Sequence, residues 1–240
     1  MATPPASTPR AAFALGLRGF LSVPAAVLFA TALGFGALAR DGGLTPGHVA
    51  FLCLTMFALP NQVVLVDQLA RNETLAAAAL AVTLAAMRLL PMTVTLVPLL
   101  RSGRRRPLAE TVAAHFVAIT TWIELNRRVG SLAPPVRLPY HLGLGLSLVA
   151  TMLAGALAGY ALSWRVPPLV TAALLFTTPL YFLLSLVATS RTRMDALAIA
   201  LGCLLSPALH LAAPGFDLLA TGLVGGSLAF LLGRAARRGP

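Results

Sequence analysis

The sequence predicts an all-α membrane protein, a polytopic bundle of transmembrane helices. Of the 240 residues, 58% are hydrophobic and only 10% are charged, and the mean hydropathy is +0.86. About a quarter of the residues of a soluble domain are charged, so these few charges cannot cover a soluble globule of this size. The apolar runs are continuous rather than alternating, which argues against an outer-membrane barrel. We therefore expect helices that cross a bilayer.

The charge distribution excludes two classes of function. Every one of the 18 basic residues is arginine, and the formal net charge is +11. Such an excess in a soluble protein would indicate nucleic-acid binding, but here the arginines cluster between apolar runs, as in cytoplasmic loops of membrane proteins. We therefore predict no nucleic-acid partner. Because the chain has no lysine, it has no Walker A motif and cannot hydrolyse ATP through a P-loop of its own.

The sequence also offers no catalytic constellation. Cys53 and Cys203 lie singly inside apolar runs and are interpreted as small apolar packing residues rather than metal ligands. Neither a Ser-His-Asp set nor an HExxH motif is recognisable. We predict that the chain is not an enzyme and that it has no catalytic residue, metal or cofactor.

Apolar runs of about 20 residues, enough to cross the hydrocarbon core, define the domain organisation. We expect a polar, disordered or interfacial N-terminus over residues 1–18, one transmembrane bundle over 19–233 and a basic tail over 234–240. The predicted spans are residues 19–38, 47–70, 74–100, 140–162, 166–188, 194–213 and 216–233. The second and third are expected to be broken helices, at Pro60 and at Pro91.

The shorter segment 108–125, which contains His115 and Glu124, decides the number of spans. If it lies at the interface or re-enters the membrane, the chain has seven spans, with the N-terminus outside and residues 101–138 in the cytoplasm. If it crosses, there are eight spans, and the N-terminus lies inside while residues 101–106 lie outside. The arginine distribution favours seven spans, and eight remains the alternative.

The break in the second span is the first candidate site. Proline removes a backbone donor and disrupts the preceding turn, and Pro60 is followed directly by Asn61 and Gln62. Broken helices with polar groups at mid-depth form the substrate sites of many secondary transporters. The alternative is an ordinary kink, in which both amides bond to neighbouring helices.

Arg88 is the second candidate, because it falls near the middle of the third span. An arginine at the bilayer centre costs about 2.5–3.5 kcal/mol even on the insertion scale, so it needs a partner. Candidate charge partners are Asp67, Glu124, backbone carbonyls of a broken helix or a substrate carboxylate. The alternative is that Arg88 snorkels to water.

Small residues mark expected helix contacts. Gly155 and Gly159 in the fourth full span, and Gly222 and Gly226 in the last, have the small-xxx-small spacing that lets helix backbones approach closely in lipid. This pattern predicts packing and carries little chemistry.

Taken in order, these features resemble the AzlC family, the large subunit of two-component branched-chain amino acid exporters. The resemblance runs from about Gly19 to Leu232. The residues and segments that carry the resemblance are Gly19, Pro24, Gly34-Phe35-Gly36, the break Leu59-Pro60-Asn61-Gln62-Val63, Ala86-Met87-Arg88, Ile119-Thr120-Thr121-Trp122, the glycines of Gly155-Ala156-Leu157-Ala158-Gly159, and Pro179. Gln62 and Arg88 keep the family residue. The family has two acids in the segment that corresponds to Ile119-Thr120-Thr121-Trp122; both are replaced here, and Glu124 lies nearby.

The resemblance implies a secondary exporter of small neutral amino acids in the bacterial inner membrane, with a small four-span partner of the AzlD type. In this interpretation Asn61 and Gln62 hydrogen-bond the substrate, and Arg88 attracts its carboxylate or holds an acid. A proton or sodium gradient would drive export. Two alternatives remain open: the permease of an ATP-driven transporter with a separate ATPase, for which residues 101–138 would supply the coupling helix, and a non-transporting membrane scaffold.

Overall fold

The computed structural model describes residues 8–103, 106–165, 167–189, 193–212 and 217–236, and all their regular structure is helical. This confirms the all-α prediction. The α-helices are α1 Pro9–Leu17, α2 Val23–Asp41, α3 Pro46–Thr55, α4 Leu59–Ala70, α5 Leu75–Ala86, α6 Leu89–Leu96, α7 Pro107–His115, α8 Ile119–Arg128, α9 Pro134–Leu162, α10 Pro168–Thr189, α11 Arg193–Ala212 and α12 Asp217–Ala236. Short 3₁₀ turns follow α1, α6 and α9 at Arg18–Leu21, Val97–Leu100 and Ser163–Arg165.

By length and composition, three helical segments in the described ranges can each cross a membrane, namely Val23–Asp41, Pro134–Arg165 and Met194–Ala212. The number rises to at most five if two bent pairs each count as one span. These pairs are α5 with α6 and its 3₁₀ turn, bent by 46°, and α7 with α8, bent by 117°. The predicted count of seven or eight spans is therefore not confirmed, whereas a polytopic membrane bundle is.

The first two helices run parallel to α9 along its whole length. Gly143 lies against the carbonyl of Phe13, Gly155 lies against that of Phe29, and Gly159 lies against that of Leu33. The paired residue numbers rise together, so both segments point the same way. We call the end of the bundle where α9 begins the Pro134 end, and the opposite end the Leu162 end.

Helix α1 falls in the segment that we expected to be polar, disordered or interfacial. Thr8 caps it by accepting a hydrogen bond from the backbone N–H of Ala11 at 3.3 Å, and Ala12 and Gly16 are buried. Gly16 packs directly on the α9 backbone at Tyr140, which a side chain would prevent. Order in residues 8–18 therefore comes from packing on α9, which composition does not reveal. Residues 1–7 and 237–240 lie outside the described residues, so the proposed domain limits stay a prediction.

Helices α3 and α4 form a hairpin whose two ends both lie at the Leu162 end. Helix α3 begins at Pro46, just after α2 ends, and descends along α9. Helix α4 returns, because the side chain of Val66 lies next to Gly42 at the end of α2. The second predicted span therefore doubles back at its break instead of continuing.

Helices α7 and α8 form a second hairpin, which enters from the Pro134 end. The chain bends by 117° between its two arms. The Arg137 guanidinium, near the start of α9, donates to the carbonyl of Leu99 at 3.3 Å and to that of Val129 at 3.1 Å. The end of the α6 segment and the end of α8 are thereby tied to the start of α9. This geometry agrees with the re-entrant alternative for residues 108–125.

Both predicted arrangements are wrong about which parts of the chain share a side of the membrane. Each arrangement placed the N-terminus and residues 101–106 on opposite sides. In the structure, Pro9, Arg101, Arg106 and Pro135 line one cavity of about 210 Å³ at the Pro134 end. The physical reason is the doubling back of α3 and α4: a proline marks a break in a helix but does not set the angle between its two halves.

An ion pair closes part of that cavity. Arg101 donates from Nη2 to the Glu110 carboxylate at 2.7 Å, and Nε donates to the same group at 3.0 Å. These hydrogen bonds hold the pKa of Arg101 above its usual value. The pair ties the loop after α6 to the first turn of α7, so it fixes where the second hairpin begins.

The predicted packing glycines divide into two groups. Gly155 and Gly159 face α2, where a Cβ at Gly155 would lie 2.8 Å from the Phe29 carbonyl. A Cβ at Gly222 or Gly226 would have no neighbour within 4 Å from another part of the described chain. A Cβ at Gly225, between them, would lie 3.7 Å from the Gly202 nitrogen of α11. The spacing in the sequence does not tell which turn of the helix faces a neighbour.

Candidate functional site

The tips of the two hairpins meet at a cavity of about 90 Å³. One tip contributes Phe57, Ala58, Leu59 and Pro60, the other contributes Ala118, Ile119 and Thr120, and the bend between α5 and α6 contributes Arg88, Leu89 and Met92. The remaining wall comes from Pro24, Val27 and Leu28 of α2 and Met152 of α9. Three interruptions of helical structure thus converge on one apolar cavity.

Gln62 holds the first tip in shape. Its side chain is fully buried, and Nε2 donates to the carbonyls of Leu52 at 3.1 Å and Met56 at 2.6 Å, at the end of α3. Carbonyls at a helix break must find donors when water is excluded, and Gln62 supplies them. Gln62 is not among the cavity-lining residues, so the structure gives it a different position from the predicted contact with substrate.

Thr121 has the corresponding position at the second tip. It is fully buried, accepts a hydrogen bond from the N–H of Ala118 at 2.9 Å and donates to the carbonyl of Phe116 at 2.7 Å. The sequence reasoning did not select this residue or its neighbour Thr120, which lines the cavity. The available signal was the family segment that begins at Ile119, whose acids are replaced here.

Arg88 brings a positive charge to the cavity. Its Nη2 donates to Oδ1 of Asn61 at 3.1 Å, across the α4–α5 hairpin. Asn61 is buried and does not line the cavity, whereas Arg88 lines it and remains exposed. Asn61 therefore orients the guanidinium, and Arg88 can reach a bound molecule. Of the three residues predicted to bind substrate, the structure places one in the wall of the cavity and two behind it.

The two predicted charge partners of Arg88 pair with other arginines. Asp67 forms an ion pair with Arg71 at 3.0 Å, and Glu124 forms one with Arg128 at 2.7 Å. In both pairs the arginine is four residues further along the same helix, which places it on the same face. Among the described ion pairs, none includes Arg88.

The prolines predicted to break helices lie just inside the second half of each broken helix. Pro60 is the second residue of α4, and Pro91 is the third residue of α6. In the first turn of a helix a backbone N–H has no intrahelical partner, so proline is tolerated there. The breaks themselves are at Met56–Ala58 and Met87–Arg88.

The electrostatics of the cavity are positive. Helix α4 begins at Leu59 and α8 begins at Ile119, both in the wall, and neither start has a side-chain cap from its N-cap residue. A helix N-terminus carries a partial positive charge, which favours an anion. At α4 the charge acts without free N–H groups from Pro60 and Asn61, because Pro60 has no N–H and that of Asn61 donates to the Ala58 carbonyl at 2.9 Å. Together with the Arg88 guanidinium, the two helix starts can hold a carboxylate.

Opposed hairpins whose tips meet at a cavity are similar to the discontinuous helices of transporters, whose termini lie at a substrate site. The AzlC family, described as AzlC protein, matches residues 24–166. This is more than half of the chain, and the protein belongs to the AzlC family, a family of membrane transport components that are generally associated with a partner subunit. No curated protein and no solved structure matches the chain.

Proposed function

We propose that the protein is the large subunit of a secondary exporter of small neutral amino acids of the branched-chain type. The observation that carries this proposal is the cavity at the hairpin tips, in which Arg88 is the charged residue among apolar walls. The substrate carboxylate lies against Arg88 and the starts of α4 and α8. Its aliphatic side chain packs on Val27, Leu28 and Met152.

The size of the cavity agrees with this substrate class. One water-sized group occupies about 10–15 Å³ of such a cavity, so 90 Å³ holds roughly six to nine groups. This is the size of a small aliphatic amino acid. Larger or strongly polar side chains meet a wall with few hydrogen-bonding groups.

The position of the cavity supports alternating access. Met152 lies ten residues before Leu162, which is about 15 Å at the helical rise and half of the ~30 Å hydrocarbon core. One hairpin enters from each end of the bundle, so movement of either tip opens the cavity toward one side. An ion gradient across the bacterial inner membrane supplies the energy, and a small four-span AzlD-like subunit completes the transporter.

The alternative of an ATP-driven permease has less support. It required residues 101–138 to supply a cytoplasmic coupling helix, but α7 and α8 in this segment lead into the cavity wall at Ala118–Thr120. The alternative of a non-transporting scaffold does not explain why three helix breaks meet at one cavity.

The proposal is tested by leucine export from cells that are fed a leucine dipeptide and express the protein with its neighbouring small membrane subunit. Arg88→Gln should abolish export without lowering the amount of protein in the membrane, because it removes the charge that holds the carboxylate. Arg71→Gln is the matched control, since Arg71 pairs with Asp67 on the surface of α4. Export at the wild-type rate by Arg88→Gln at normal abundance would refute the proposed site.

A further inference from the structure

We infer that the cavity recognises the carboxylate of its substrate and not the ammonium group, so that the protein also takes branched aliphatic monocarboxylates such as 2-oxo acids. This inference rests on the proposed function and concerns the same cavity. The resemblance does not imply it. It follows from the charge and the helix ends that the wall presents.

The described residues that line the cavity provide no counter-charge for an ammonium group. Arg88 is its one ionisable residue among the described lining residues, and none of these is acidic. Of the acids that lie near the helix breaks in sequence, Asp67 is paired with Arg71, Glu110 with Arg101 and Glu124 with Arg128. An ammonium group in this cavity would be close to a guanidinium, which is unfavourable for two like charges.

The last residues of α3 and α7 do not supply carbonyls to the cavity in place of an acid. Broken helices bind cations through the C-terminal ends of their first halves. Helix α3 ends at Thr55 and α7 ends at His115, and neither residue lines the cavity. The carbonyls of Leu52 and Met56 already accept from Gln62. The wall thus presents the starts of α4 and α8 without the ends of α3 and α7.

The test uses the purified full-length protein in lipid nanodiscs and four probes of similar aliphatic shape. These are leucine, 4-methyl-2-oxopentanoate, 4-methylpentanoate and 3-methylbutan-1-amine, with binding measured by calorimetry. The two acids without an amine should bind within a few-fold of leucine. The amine without a carboxylate should bind about 10- to 150-fold more weakly, which corresponds to the loss of a hydrogen bond to a charged group.

The outcomes separate this inference from the proposed function. If leucine binds and neither deaminated acid does, the inference is wrong and the amino acid site stands. If the deaminated acids bind and leucine does not, the inference stands and the proposed amino acid substrate is wrong. If no probe binds, both are wrong.

Two variants assign the binding to this cavity. Arg88→Gln should lose binding of the 2-oxo acid, whereas Arg88→Lys, which keeps the charge, should retain part of it. If Arg88→Gln does not accumulate, the comparison is between Arg88→Lys and the control Arg71→Gln. Arg88→Lys should then bind the 2-oxo acid more weakly than Arg71→Gln does. Unchanged binding of the 2-oxo acid by Arg88→Gln, or a loss in Arg71→Gln equal to that in Arg88→Lys, would place the acid elsewhere.

The geometry also points to the orientation of the protein in the membrane, by a separate observation. The arginines on the Pro134 side of the cavity, among the described residues up to Arg165, are Arg10, Arg18, Arg101, Arg106, Arg127, Arg128 and Arg137. Those on the Leu162 side are Arg40, Arg71 and Arg165. The positive-inside rule therefore places the Pro134 end in the cytoplasm. Pro9, Arg101 and Arg106 are all on the cytoplasmic side in this arrangement.

Cysteine accessibility in intact cells tests this orientation, in a background without Cys53 and Cys203. Asp41→Cys and Glu73→Cys flank the α3–α4 hairpin and should both react with an impermeant thiol reagent. Ser102→Cys and Ser131→Cys flank the α7–α8 hairpin and should react only after permeabilisation. Reaction of Asp41→Cys and Glu73→Cys from opposite sides would show that α3 and α4 cross the membrane, and labelling of Ser131→Cys from outside would reverse the orientation.

Discussion

Replacing Gln62 by methionine separates a structural role from a role in binding. Methionine keeps the length and bulk of the side chain and removes the two donated hydrogen bonds to Leu52 and Met56. A side-chain hydrogen bond inside a membrane protein contributes about 0.6–1.7 kcal/mol, so two bonds give an upper range of about 1–3 kcal/mol. Both carbonyls keep a backbone bond, from Met56 and Ala58 respectively. Gln62 Oε1 has no partner among the described residues, so its removal offsets part of the loss.

We therefore expect Gln62→Met to lower the free energy of unfolding by about 1–2 kcal/mol, measured by steric trapping in nanodiscs. Leucine affinity should fall less than it does in Arg88→Gln, because Gln62 lies behind the cavity wall. Gln68→Met, near the end of the same helix, is the matched control. Normal stability together with abolished binding would refute this reasoning, because it would show that Gln62 contacts the substrate directly and does not act through its hydrogen bonds to the end of α3.

Three further predictions concern the hairpins and the packing of the bundle. Thr121→Val keeps the shape of the side chain but removes its bonds to the second tip, so export should fall about 3- to 30-fold; an unchanged export rate would exclude a role in shaping the tip. Gly159→Ala should prevent accumulation of folded protein on a size-exclusion column, because its methyl group meets the α2 backbone, whereas Gly226→Ala, which faces open space, should behave as wild type; equal yields would contradict the close helix contact. Trp122→Phe removes a 3.0 Å bond to Thr95 at an exposed position and should change the free energy of unfolding by less than about 1 kcal/mol; a larger loss would mean that this bond fixes the second hairpin on α6.

Sequence reasoning selected residues that the structure brings together around one cavity, and their role in binding substrate stays a prediction. Pro60 predicted a break in the second span, and Arg88 predicted a charge that needs a partner. Both features lie at the cavity. The amides of Asn61 and Gln62 were expected to face the substrate, yet they bond to Arg88 and to the end of α3. Adjacent residues on a helix point about 100° apart, so the sequence alone cannot tell which of several neighbouring polar residues faces a cavity.

The sequence by itself determined that the protein lies in a lipid bilayer, that it is helical and which family it resembles. Composition and the length of the apolar runs are local properties, and they suffice to require helices in a bilayer. Only the tertiary structure decided that α3 doubles back into α4 and that Pro9 shares an end of the bundle with Arg101 and Arg106. A helix break has the same local sequence whether the chain continues or reverses. Its angle is set by contacts between residues distant in the sequence, such as Val66 on Gly42 and Arg137 on Leu99.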